Sequence, residues 1–385
     1  MSTATLRKPA RAQAAPSARP HVCFVAPFAW PVLAADPRIA EIGGAEVQQT
    51  LLARLFAAEG YRVSMICLDY GQPERAVIDG ITVHRAYRPE AGVPLLRYVH
   101  PRLTGMWRAM QQADADIYYC RAAGGLLYYV AEFCRRRGKR SIYAGASDID
   151  FAVDLSSKIR YARDRWLYRR GLERVDAIVA QSEAQRAECR MNLGREALVI
   201  PSCYVPPRER SRSKARGDRV LWVGMIRKHK RPELILELAR RLPHRRFVVV
   251  GGPGRNSAEL FNRMRQEAAR LPNVELKGFL PLPEVEPHFD AAGVFVNTSS
   301  IEGMPNTFLQ AWARGVPTVG TVDVGTSVHA QFSDLDDGAR RIEELLASGA
   351  AWERASRRCR EHFERTHSGA ETLKRYGALF EALCT

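Results

Sequence analysis

The chain has 385 residues, 46% hydrophobic and 26% charged, which predicts two globular domains or one large one, with a composition ordinary for a globular protein. No run reaches the ~18–20 apolar residues of a membrane span, and the 8 scattered cysteines form no C-x-x-C pair, which fits reduced thiols and offers no metal site. A net charge of +16 points to an anionic partner, but no helix-turn-helix, zinc-finger or RNP pattern accompanies it, so nucleic acid is not expected.

Residues 1–20 are rich in Ala, Pro and Arg, carry no acid and have no apolar run for a secretory signal, so they read as a short disordered tail, with a transit peptide as the alternative. His21 to Phe28 reads as a first buried strand. Gly43 and Gly44 then open a helix that ends at Gly60, with an apolar stripe at Leu51, Leu52, Leu55 and Phe56. A Gly pair ahead of a helix lets a ligand approach free backbone amides, and it is also a common way to turn a chain. Tyr61 to Leu68 and Ile81 to Tyr87 are strand-like, and Tyr98 to Gln112 is helix-like. A strand from Asp116 to Cys120 ends at Arg121. A helix from Gly124 to Arg137 runs into a basic cluster (Arg135 to Arg140), and a strand from Ser141 to Ala146 runs into Ser147 and Asp148. Arg121 and Asp148 stand just past strand carboxyl ends, where α/β proteins bind ligands; Asp148 reads equally as a cap. Lys158 to Arg174 is an Arg-dense helix.

Pro206 to Asp218 is polar and Pro-led and reads as a linker. Arg219 to Gly224 starts a second α/β series. Arg227, Lys228, Lys230 and Arg231 follow it, ahead of the helix Leu234 to Leu242. Cations beside a helix amino end suit a phosphate; the alternative is a basic surface loop. Gly251, Gly252 and Gly254 miss the G-x-G-x-x-G spacing. Between 293 and 321 the pattern is strand, polar loop, helix, strand, with Pro305 opening the helix and Gly315 ending it. Glu302 stands before free helix amides. Gln310 sits inside an otherwise apolar helix, where an unpaired amide costs about 1–3 kcal/mol and so needs a partner. The pair suits a polyhydroxylated ligand; the other reading is a capping Glu and a core amide bonded to backbone. Three helices, Leu335 to Ala347, Ala351 to Glu364 and Ala370 to Leu383, finish the chain.

The run EGMPNTFLQAWARGVPTVG resembles the donor-site signature of the family 4 (group 1) glycosyltransferases of GT-B fold, E-x7-E followed by A-x-A-x-G-x-P-V. This chain has E-x7-Q. The resemblance implies that Glu302 contacts the donor sugar, that Gly303, Met304, Pro305, Asn306 and Thr307 line its pocket, and that Gln310 takes the nucleotide ribose. The family's G-R-x4-K loop is matched by Gly224 and Lys230. Met225 replaces the Arg, and Arg227 substitutes from two residues on. Glu302, Lys230 and Arg227 are thus the expected catalytic set. The GGAE run resembles the family's amino-terminal domain, which places Gly43 and Gly44 at the interdomain cleft. Arg121 precedes the place where many members carry a His, so a His-based acceptor activation is not carried over. Ser202 and Cys203 stand where the family has Asn-Gly, and the segment 321–334 is short.

The expected fold is α/β, GT-B: two facing Rossmann-like doubly wound domains with a cleft between them. Residues 21–205 form the acceptor-side domain, 206–218 the linker and 219–368 the nucleotide-sugar domain, and 369–385 a helix crossing back. The expected function is retaining, metal-independent transfer from a nucleotide sugar to a hydroxyl of a glycan or lipid-linked glycan, in cell-surface or exopolysaccharide synthesis. No cofactor is expected beyond that co-substrate. The expected location is cytoplasmic, with the basic residues of the first domain either gathered on one face for an anionic membrane surface or scattered as solvated charge. The alternative is a catalytically impaired GT-B-like protein that binds a nucleotide or glycan.

Overall fold

The computed structural model describes residues 19–36, 43–93, 98–207, 217–254 and 256–385. Most of the expected tail and positions 208–216 of the expected linker lie outside these residues. The first half builds a sheet from β1 (Val22–Val25), β2 (Val63–Cys67), β3 (Arg75–Ile78), β4 (Ile81–Arg85), β5 (Ile117–Arg121), β6 (Arg140–Ala144), β7 (Ala177–Ala180) and β8 (Leu198–Val199), in the order β3-β4-β2-β1-β5-β6-β7-β8. All its pairs are parallel except the β3–β4 hairpin. Every residue of β1 is buried, as a central strand covered on both faces requires.

Helices cover both faces of this sheet. α2 (Gly44–Ala58) follows the short α1 (Trp30–Leu33), then come α3 (Thr104–Ala113), α4 (Leu126–Arg137), α5 (Ala162–Arg174) and α6 (Glu183–Leu193). One core lies under α3, α4 and α5 around Tyr118, Phe133 and Tyr168; the other lies under α2 around Phe24, Phe56 and Tyr119.

The second half repeats the plan with β9 (Arg219–Val223), β10 (Arg246–Val250), β11 (Val274–Gly278), β12 (Ala292–Asn297), β13 (Thr318–Gly320) and β14 (His329–Gln331), all parallel, ordered β11-β10-β9-β12-β13-β14. Its helices are α7 (Glu233–Arg241), α8 (Ala258–Ala268), α9 (Leu282–Asp290), α10 (Asn306–Ala313), α11 (Leu335–Ala347), α12 (Gly349–Thr366) and α13 (Gly369–Cys384). Strand order reverses at β1/β5 in one sheet and at β9/β12 in the other. Such switch points open a crevice at the strand carboxyl ends.

The chain passes between the halves at two places that touch. Tyr204 N–H donates to the His367 carbonyl at 3.1 Å, and His367 Nδ1–H donates to the Ser202 carbonyl at 2.7 Å. Beyond His367, α13 lies on the first domain, with Tyr376 edge-on to Phe56 and Tyr119. α5 begins at Ala162 after the extended Tyr161, and Lys158, expected in this helix, lies outside it in an ion pair with Asp150. The basic cluster after α4 is partly neutralised within the fold: Arg135, Arg136 and Arg174 all pair with Glu132. Arg135 first, then Arg136, outweigh burial and hold the Glu132 carboxyl down at about 2. Among the described residues no helix is long and apolar enough to cross a membrane.

Candidate active site

The loops after β5, β6, β9 and β12 and the start of α2 enclose a cavity of about 670 Å³ between the two domains. On the second domain's wall, two loops are tied into one unit. The loop after β12 turns at Asn297, whose Oδ1 accepts from Ser299 N–H at 2.9 Å. Thr298 Oγ1 accepts from Trp222 Nε1 at 2.9 Å and donates to the Lys230 carbonyl at 2.7 Å, and Ser300 N–H donates to the His229 carbonyl at 2.8 Å. Arg231, in the left-handed region at φ 42°, reaches back from the turn Lys228–Lys230 to the Thr298 carbonyl at 2.8 Å.

This stitching brings Lys230 against Glu302. Lys230 Nζ and Ser299 Oγ both donate to Glu302 Oε1, the hydroxyl at 2.7 Å. The two charged side chains keep 25% and 15% of their surface exposed, on the cavity side. They are therefore paired at rest and still open to a ligand. Arg227 lies over Gly254: a Cβ there would stand 2.6 Å from Arg227 Cγ, so the glycine makes room for the side chain. His229 borders the same pocket; burial first, then the Lys230 charge, lowers its pKa and leaves the ring neutral at pH 7.

The amino end of α10 faces the first domain. Asn306 Nδ2 donates to the Gly44 carbonyl at 3.2 Å, and Asn306 Oδ1 accepts from Gln48 Nε2 at 2.8 Å. The same Gln48 amide exchanges hydrogen bonds with the Cys203 backbone, at 2.7 Å and 3.1 Å. A clasp thus runs from the Gly43-Gly44 turn through α2 to both domains. The Glu46 carboxylate covers the Gly43 side of that turn, where a Cβ would meet its Oε2 at 2.1 Å.

On the first domain's wall, Arg121 Nη2 donates to Ser202 Oγ at 3.0 Å, and Ser202 Oγ donates to Gln181 Oε1 at 2.6 Å. Asp148 Oδ1 accepts from Gln185 Nε2 at 2.8 Å. Beneath it, buried Asp150 accepts from Ala146 N–H at 2.7 Å and Tyr143 OH at 2.9 Å and pairs with Lys158. That knot fixes the loop that presents Ser147 and Asp148.

Of the residues expected in the site, Gly43, Gly44, Arg121, Asp148, Gly224, Arg227, Lys230 and the run Glu302 to Thr307 all border the cavity. Met225, read as a departure from the family loop, also borders it. Gln310 departs from its expected place in the substrate set. It is 6% exposed and does not border the cavity. Its Nε2 donates to Glu286 Oε1 at 3.0 Å, while Glu286 Oε2 accepts from Tyr204 OH at 2.7 Å and pairs with Arg314. The reason is helical geometry: α10 starts at Asn306, its first turn meets the cleft, and Gln310 a turn later meets α9. There it serves as a donor to a carboxylate that is itself only 4% exposed. Gln48, Trp222, Lys158 and Gln181 also border the cavity and carried no sequence signal; Ser202 was visible only as a departure from Asn-Gly.

Two family models match the chain: Glycosyltransferase Family 4 over residues 42–204, and Glycosyl transferases group 1 over residues 217–348. The chain belongs to the family 4, group 1 glycosyltransferases. As members of a transferase family, two relatives are similar to it over part of their length. A D-inositol 3-phosphate glycosyltransferase from Geodermatophilus obscurus is 32% identical over 35% of this chain and 37% of that one. The protein of the same name from Mycobacteroides abscessus is 27% identical over 41% of this chain and 39% of its own. The match thus spans about two fifths of these relatives. Solved structures show the GT-B fold of this glycosyltransferase over nearly its whole length. Sucrose-phosphate synthase from Thermosynechococcus elongatus superposes with a TM-score of 0.73 at 16% identity, covering 95% of this chain and 99% of that one. HepE from Anabaena, solved with UDP, superposes at 0.69 and 14% identity, covering 94% and 100%.

Proposed function

We propose that this glycosyltransferase moves a sugar from a nucleotide-sugar donor to a hydroxyl of a glycan or lipid-linked glycan, with retention of configuration and without a metal ion. The observation that carries the reading is the Lys230–Glu302 pair at the cleft, on loops following two adjacent strands of the second sheet. A donor diphosphate entering between Lys230 and Arg227 draws the ammonium toward itself. The two cations then stabilise the negative charge that develops as the sugar–oxygen bond breaks. Glu302, released from Lys230 and still held by Ser299, turns its oxygens to the sugar hydroxyls. Asp148 and Arg121, on the opposite wall, face the acceptor. No cofactor beyond the co-substrate enters this scheme.

A thermal-shift panel of nucleotide sugars finds the donor, because a ligand that binds only the folded protein raises its melting temperature by mass action. Turnover of that donor is then followed with and without a chelator, and the anomeric configuration of the product is read by NMR. Loss of turnover with chelator removes the metal-independent part of the reading; an inverted product removes retention. The placement of Gln310 outside the cavity favours one other reading, a GT-B-like binding protein without turnover. A donor that shifts the melting temperature and is never consumed selects it.

The acceptor side also suggests where the protein works. Around α5, Tyr161 and Trp166 are 59% and 55% exposed, and Arg160, Arg163 and Arg170 lie over the rings of Tyr161, Tyr98 and Trp166. Aromatic rings and cations together suit the headgroup region of an anionic bilayer. Seven cysteines are buried and free, which suits a reducing compartment. The reading is therefore a peripheral protein at the cytoplasmic face of a membrane, acting on a cell-surface or exopolysaccharide precursor.

A further inference from the structure

Arg121 ends β5 on the first domain's wall of the cleft. A guanidinium is always charged in a protein and carries five N–H donors. Here only neutral oxygens use them: Tyr119 OH accepts from Nη1 at 3.4 Å and Ser202 Oγ from Nη2 at 3.0 Å. The buried Nε has no hydrogen-bond partner, and among the described residues no carboxylate forms an ion pair with Arg121. Two charged neighbours at the cavity are already paired, Lys158 with Asp150 and Lys230 with Glu302, while Asp148 accepts from the neutral Gln185 amide and forms no ion pair with Arg121 among the described residues.

Asp150 favours the Arg121 charge without bonding to it and is already paired with Lys158, so the guanidinium keeps donors for a further anion. The position of the guanidinium is held in advance. Ser202 Oγ is itself fixed by Gln181 at 2.6 Å, and Gln181 Nε2 donates to the Gly145 carbonyl at 2.9 Å. A planar fork held this way fits two oxygens of a carboxylate or phosphate better than single hydroxyls. Lys230 and Arg227, proposed for the donor diphosphate, come from the other domain, so Arg121 is left for a second anion. Resting on the donor reading above, we infer that Arg121 binds an anionic group, carboxylate or phosphate, carried by the acceptor. The acceptor is then an acidic sugar or a sugar phosphate, and Arg121 selects it against neutral glycans.

The test is calorimetric titration of the full chain, saturated with UDP, with glucuronate, glucose 6-phosphate and glucose. At least one acidic sugar binds about tenfold tighter than glucose or more, as charge-assisted hydrogen bonds imply. Arg121→Gln removes that preference, Arg121→Lys keeps part of it, and both variants bind UDP within about threefold of the parent. Preference for glucuronate marks a carboxylate acceptor, and preference for glucose 6-phosphate a phosphate. Equal binding of the three sugars, or a preference that survives Arg121→Gln, overturns the inference. So does an equal loss of UDP and acidic-sugar affinity in Arg121→Gln, which assigns the guanidinium to the donor phosphates. If the parent fails to bind UDP, the nucleoside diphosphate of the donor found by thermal shift replaces it; if none binds, the donor reading falls, and the same titrations without nucleotide still decide for or against the anion site.

Discussion

Replacing Gln310 by Glu restores the family's second acid, yet it should destabilise this protein. Gln310 Nε2 donates to Glu286 Oε1 at 3.0 Å, with both residues buried. The substitution removes a hydrogen bond to a charged group, about 1.5–3 kcal/mol. It also sets two carboxylates against each other at a separation where like charges repel by about 4–5 kcal/mol at an effective dielectric of 20. The variant escapes part of this by keeping the new carboxyl protonated, and Arg314, already paired with Glu286, offsets more, so a loss of about 2–4 kcal/mol at pH 7 is expected. In a domain of this size that is roughly 5–10 °C of melting temperature. The pH dependence has a definite sign. The new carboxyl has a folded-state pKa above the ordinary ~4.3 of Glu, so the folded form binds more protons than the unfolded one. The deficit is small near pH 4 and grows as pH rises through the folded-state pKa. Melting followed by circular dichroism between pH 4 and 8 measures it, and the swap Gln310→Glu with Glu286→Gln should recover at least half of the loss. A single variant that melts with the parent at pH 7 and binds the donor nucleotide more tightly would place Gln310 on the nucleotide and refute this account.

Lys230→Ala should weaken the donor's nucleoside diphosphate at least tenfold while leaving the nucleoside within about twofold, since the lost contact is to phosphate; equal losses argue against a phosphate role. Anionic vesicles should co-sediment the protein at low salt and release it at high salt, as each cation near the surface contributes about 1 kcal/mol within a Debye length. Arg160→Glu with Arg163→Glu and Arg170→Glu should abolish this binding, whereas Arg135→Glu, beside Glu132, should reduce it little; the opposite ranking moves the patch to α4. Burial lowers His21, His329 and His367 to about 4. Unfolded histidines titrate near 6.5, so the stability these three contribute is complete above that pH and lost as pH falls toward 4, by up to about 1.4 kcal/mol per pH unit for each. Urea melts that are flat from pH 7 to 4.5 would contradict it.

Much of the cleft was legible because backbone chemistry writes it locally. Gly224 after β9 and the run Glu302 to Thr307, which leads from β12 into α10, are punctuation at strand ends, where such folds bind ligands, and Gly43 and Gly44 open α2. The β3–β4 hairpin was missed although Asp79 and Gly80, at φ 51° and 77°, mark its turn; β3 has only four residues, none of them buried, and its apolar run is Ala76 to Ile78 alone. Gln310 was misplaced because motif spacing gives the helix but not which neighbour its second turn meets. The Gln48–Asn306 clasp joins residues 258 positions apart, and no local pattern carries such a pairing. Gly315 was read correctly as a helix stop at φ 71°, but its second role was hidden: a Cβ would stand 2.2 Å from Arg360 Nη1 on α12.

Consumption of the nucleotide sugar identified by thermal shift, compared between the parent and Glu302→Gln, tests the central claim most directly. Glu302 takes hydrogen bonds from Lys230 and Ser299 at the mouth of the cleft, and the amide keeps its shape while removing its charge. The account predicts that turnover falls at least tenfold, or about 1.4 kcal/mol of transition-state stabilisation, while the affinity for that donor's nucleoside diphosphate changes by less than about threefold. Equal turnover by the two folded proteins would remove Glu302 from the chemistry, and with it the assignment of this cleft as the site of sugar transfer.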